Sequence, residues 1–117
     1  MDSIEFSVDG FPPAYDSALS ISNKNHKRYP LVVKLQEVAR AAMNGNELIQ
    51  GDLKMEVKCE ATLEHMGTDC INLIGGIGNS LQGVIYSNDN QIKGIHFKQL
   101  LSNQNRYTIR ISKVGHY

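Results

Sequence analysis

With 117 residues the chain is long enough to bury one hydrophobic core and short enough to form a single domain over 1–117. Lys and Arg number 12, as do Asp and Glu, so no overall field draws the molecule toward nucleic acid or membrane, and any such contact must come from local charge. No segment approaches the roughly 18 apolar residues of a membrane span, and Cys59 and Cys70 form no C-x-x-C pair, which together predict a cytoplasmic protein with reduced thiols and no membrane contact.

In chain order, Ile4, Phe6 and Val8 alternate with polar neighbours, predicting a strand that "DGFPPA" ends with turn formers. Residues 14 to 29 have no clean period and close on Lys24, Lys27 and Arg28 beside His26 and Tyr29, which reads as a long loop. From Pro30, the spacing of Leu31, Leu35, Val38, Ala39 and Ala42 predicts a helix ending near Gly45. The next segment alternates strictly, with Leu53, Met55, Val57, Cys59, Ala61 and Leu63 on the buried face and Lys54, Glu56, Lys58, Glu60, Thr62 and Glu64 on the wet one. Ile95 and Phe97, past a Gly94 that suggests a bulge, and then Tyr107, Ile109 and Ile111 predict two closing strands. The sum is an α+β fold of order β-α-β-α-β-β, a mostly antiparallel or mixed sheet of about four strands with two helices on one face.

Between the second and third strands, "TDCINLIGGIGNSLQGVIYSND" has two readings. A phosphate-cradling G-x-G-x-x-G fails because Leu81 occupies the third glycine position, and no Gly-Lys-Ser/Thr is present. A helix fits, since Ile71, Ile74, Ile77, Gly78, Leu81 and Ile85 recur every three or four residues behind Thr68 or Asp69 as cap. Gly75, Gly76 and Gly78 each cost about 1 kcal/mol against alanine within a helix, so a close backbone approach to the sheet or to the first helix must compensate. His26, His65, His96 and His116 have no zinc-like spacing, and no G-x-S-x-G elbow is present.

"DGFPPA", "TDCINLIG" and "QGVIYSNDNQI" resemble, in that order, the G-x-P-P turn, the D-x-D-N-L-x-K helix opening and the G-V-h-x-x-D-D-x-Q-h segment (h apolar) of the RusA-like Holliday junction resolvases. The resemblance spans nearly the whole chain. It implies a homodimeric, magnesium-dependent endonuclease acting on four-way branched DNA, with no small-molecule cofactor. Asp69 and Asp89 match two of the family's acids and are the implied catalytic and metal-binding residues; Asn72 and Gln91 match its supporting positions. From charge alone, Lys24, Lys27 and Arg28 read as DNA-phosphate contacts or as a solvated basic loop, and Arg106 and Arg110 as a DNA-facing surface or a plain solvent face.

The departures fall on the chemistry. Ile71 replaces the second helix acid, Gly75 the lysine, Asn88 the first acid of the pair, and Asn79 a common helix aspartate. Metal-assisted phosphodiester cleavage needs carboxylates around the ion and a cation against developing charge, so catalysis is expected to be impaired. Without the resemblance, Asp69 reads as a helix cap, Asp89 as a turn former, and Asn72 and Gln91 as backbone hydrogen-bonding groups. The rival reading is a non-catalytic interaction module that keeps the fold and binds a protein partner.

Overall fold

Alternating apolar and polar side chains make strands of β1 (Ser3–Asp9), β2 (Leu53–Ala61) and β4 (Arg106–Lys113), in each of which alternate residues are buried. The computed structural model describes residues 1–15 and 25–115, so Lys24 and His116 lie outside the described residues. α1 (Tyr29–Met43) follows β1, α2 (Cys70–Leu81) follows β2, and one 3-10 turn (Asp89–Gln91) leads into β3 (Ile92–Leu101) and then β4. The predicted order β-α-β-α-β-β is therefore the observed one. No helix among the described residues is long and apolar enough to cross a membrane.

The sheet runs β1-β4-β2-β3. β4 is antiparallel to both its neighbours, whereas β2 and β3 are parallel. The chain reaches that parallel partner by a crossover through α2, the connection a parallel pair requires. Register stacks the inward residues in rows: Ile4, Ile111, Met55 and Ile95 form one, and Phe6, Ile109, Val57 and Phe97 the next. Leu35, Ala39 and Met43 of α1 and Ile77 and Leu81 of α2 close over these rows in one core.

Three details depart from or sharpen the sequence reading. β2 stops at Ala61, and Leu63, expected on the buried face, is 81% exposed. β3 ends opposite Ala61 at Leu101, and the chain turns with His65 N donating to Thr62 O at 2.9 Å, leaving no sheet to cover Leu63. The suspected bulge is present, since Leu53 pairs with Ile92 and Lys54 with Gly94, skipping Lys93. In α1 the buried stripe is Val32, Leu35, Gln36, Ala39 and Met43, with Leu31, Val38 and Ala42 half-buried at its margins. Gln36 is inside because its Nε2 donates to Ser80 O of α2 at 3.0 Å. Asn44, at φ 49°, ends α1 in the left-handed conformation, one residue before the expected Gly45.

Candidate functional site

The helix reading of the glycine-rich stretch holds, with Asp69 as N-cap of α2, its Oδ1 accepting from Ile71 N at 2.8 Å. The compensation for its glycines comes from the segment after β1. A Cβ on Gly76 would overlap the Pro13 carbonyl, and one on Gly75 would stand 3.2 Å from Tyr15 Cβ. Tyr15 N donates to Asn72 O at 2.7 Å, so the "PPA" turn is laid directly on the helix backbone. The expectation of a close approach is met, by residues 13–15 rather than by the sheet or α1.

Asp89 returns to this helix. Tyr86 folds back so that its hydroxyl donates to Gly78 O at 2.7 Å, and Gln82 Oε1 accepts from Asp89 N at 2.8 Å. Burial of Tyr86, and then the Asp89 carboxylate, push its phenol well above the ordinary tyrosine range. Gln91 fastens the turn. Its Oε1 accepts from Ser87 N, Ser87 Oγ and Asn88 N, and its Nε2 donates to Ile49 O and Gly51 O at 3.0 Å each. Asn88, in the position of a family acid, spends its side chain accepting from Asn90 N at 2.9 Å.

A cavity of about 380 Å³ lies between α2 and β3. Asp89 lines it with Asn72 and Asn79 from α2, against Met55, Ile74, Ile92 and Ile95. Ile71 and Gly75, where the resemblance leads one to expect an acid and a lysine, line it beside Asp89. Asp69 is not part of this lining. The structure thus unites Asp89 with Asn72 and leaves Asp69 on the cap of α2, with Gln91 behind Asp89 as its brace. Sequence reading did not find Met55, Ile92, Ile95 or Tyr15 as cavity residues. Ile95 belongs to an inward row yet is 49% exposed, because it borders this open cavity.

The sequence matches the family model described as Endodeoxyribonuclease RusA over residues 21–112, which is most of the chain. This chain belongs to the RusA endodeoxyribonuclease family. Comparison with curated proteins gives no match. For a RusA-family site, magnesium asks for oxygen donors, commonly one or two carboxylates with water and substrate phosphate. Here the cavity offers one carboxylate, Asp89, and the neutral amides of Asn72 and Asn79. Among the described residues no three His, Cys, Asp or Glu side chains gather as a metal site. The donor set therefore fits a resident magnesium ion poorly.

The basic residues are distributed unevenly. Lys27 is exposed, and Arg28, half-buried at the cap of α1, donates from Nη1 to Ala14 O at 3.2 Å. Arg106 lies 3.9 Å from Asp9 and Arg110 3.9 Å from Glu56, so the outer sheet face largely neutralises its own cations.

Proposed function

We propose that this RusA-family chain binds branched DNA as a homodimer and that the Asp89 cavity, with Asp69 held at the helix cap outside it, takes magnesium poorly, leaving junction cutting weak or lost. The observation that carries this reading is the convergence of Asp89 and Asn72, from two separate family motifs, on one cavity. Ile71 and Gly75 on its wall put an alkyl group and a bare backbone where the motif has an acid and a lysine. Lys27 and Arg28 supply phosphate-attracting charge that the neutral molecule lacks overall.

The test is a synthetic four-way junction offered to the purified protein at low salt, with and without magnesium. Salt-sensitive binding with little cutting is expected; no binding at low salt would remove the DNA claim. Ile71→Asp combined with Gly75→Lys should raise magnesium affinity and cutting. If neither changes, the Asp89 cavity is not a metal site. Tyr15 must move for the introduced lysine to fit, because a Cβ at Gly75 meets Tyr15 Cβ at 3.2 Å, so Ile71→Asp alone belongs in the series.

A second reading, a protein-binding module, is favoured by one feature: Ile71, at the cavity wall, is 74% exposed. Junction binding that persists in Ile71→Asp speaks against it.

A further inference from the structure

A second cavity, of about 430 Å³, flanks the first. Ala14 and Thr68 line it, whereas Tyr15, Ile71 and Asn72 line its neighbour, so residues 14–15 and the start of α2 form a shared wall. Arg28, His65 and Asn105 complete its polar lining.

The protonation of His65 can be read from its partners. The backbone N–H of Thr62 is a donor only, and it meets Asn105 Oδ1 at 2.9 Å, which fixes the orientation of that amide. Asn105 Nδ2, also a donor only, therefore faces His65 Nδ1, at 3.2 Å. Nδ1 must accept, and the Thr62 hydroxyl, 3.3 Å away, can only reinforce that role. A neutral His65 then carries its proton on Nε2. Phe11, stacked on the ring at 4.6 Å and 26°, holds the imidazole plane. The fold has fixed one histidine as an N–H donor beside a cavity that also presents a guanidinium and a hydroxyl.

We propose that His65 Nε2–H, Thr68 Oγ and the charge of Arg28 seat one phosphate of a nucleic-acid backbone beside the Asp89 cavity. Oriented N–H and O–H donors with a cation are the chemistry that phosphate oxygens take. Among the described residues, Asp69 turns its Oδ1 onto Ile71 N, Glu64 is exposed next to His65, and Arg28 also donates from Nη1 to Ala14 O at 3.2 Å. The shared wall would let a single strand place adjacent groups in the two cavities. The nucleic-acid identity of the ligand rests on the DNA reading above; the phosphate seat does not.

The experiment is long-range proton–nitrogen NMR of the full chain, first free, then with inorganic phosphate, then with the four-way junction. The free protein should show His65 as the Nε2–H tautomer, and both additions should move its Nε2 signal. An Nδ1–H tautomer in the free protein would overturn the proposal. Movement with phosphate but no junction binding would retain the seat and sink the DNA reading. Junction binding with His65 unmoved would do the reverse. His65→Leu should weaken junction binding about tenfold, a hydrogen bond to a charged group, with the salt slope unchanged because a neutral donor releases no counterion. His65→Gln, which keeps an N–H donor, should restore most of that loss. Failure of His65→Gln to do better than His65→Leu would assign the histidine to packing alone.

Discussion

Gly76 is the residue on which the site most directly depends. Only a residue without Cβ lets the Pro13 carbonyl approach α2, and that approach holds Tyr15 N on Asn72 O. Gly76→Ala gains about 1 kcal/mol in helix propensity but forces Pro13 away. A net loss of about 1–3 kcal/mol, the usual cost of overpacking, is expected in urea unfolding. Ile71→Asp, at a position 74% exposed, should stay within about 0.5 kcal/mol of wild type. The two variants therefore separate stability from the chemistry of the cavity.

Cys59 makes a prediction in pH. Burial, and then the neighbouring Glu60 charge, push its thiol from 9.0 up to about 11, so the fold favours the protonated form. The unfolded thiol ionises first. The resulting stability is full below pH 9.0 and is lost as pH rises through about 11. Urea midpoints should fall across that window, and Cys59→Val should flatten the lower part of the fall. Buried Tyr107 and Tyr86 shift the same way from a higher starting point, so they act at the alkaline end.

Among the elements, α2 and the turn at Asp89–Gln91 work as a pair. The helix brings Asn72 and Asn79 to the cavity, and the turn brings Asp89 back along it. Gln91 holds that turn with three hydrogen bonds to its Oε1 from Ser87 and Asn88, and ties it to residues 49 and 51 with two from its Nε2. Gln91→Ala should cost about 0.5–1.5 kcal/mol, since five hydrogen bonds are lost together but only the one to Ile49 O is partly buried. Hydrogen exchange at residues 87–91 should accelerate more than in the sheet. If only the global midpoint drops and exchange stays uniform, Gln91 serves the core and not the placement of Asp89. Gln91, a supporting residue in the resemblance, thus has a structural role that the motif by itself does not reveal.

At the scale of the molecule, the mixed sheet separates two surfaces. On its outer face Lys54 lies 3.7 Å from Glu56 and Lys58 3.7 Å from Glu60, while Arg110 also approaches Glu56. Such exposed pairs add little stability but cancel the local field. Lys58→Gln should therefore leave junction affinity within about twofold, while Lys27→Gln, on the loop leading to α1, should lower both affinity and its salt dependence. Equal effects of the two changes in a filter-binding titration would place the DNA on the sheet instead.

Periodicity determined the elements of this protein: strict alternation made β1, β2 and β4, and three-to-four spacing made α1 and α2, because those periods set which side chains share a face. Motif order likewise pointed to the RusA family, whose model matches residues 21–112. Only tertiary structure decided that β3 would lie parallel to β2, that Leu63 would find no sheet, and that Ile95 would border a cavity. It also decided that Asp89 would meet Asn72 while Asp69 stayed at the cap of its helix. Local periods record one element's own geometry, whereas the meeting of residues from distant segments depends on how closely backbones can approach, and here that distance is set by a glycine beneath a proline carbonyl.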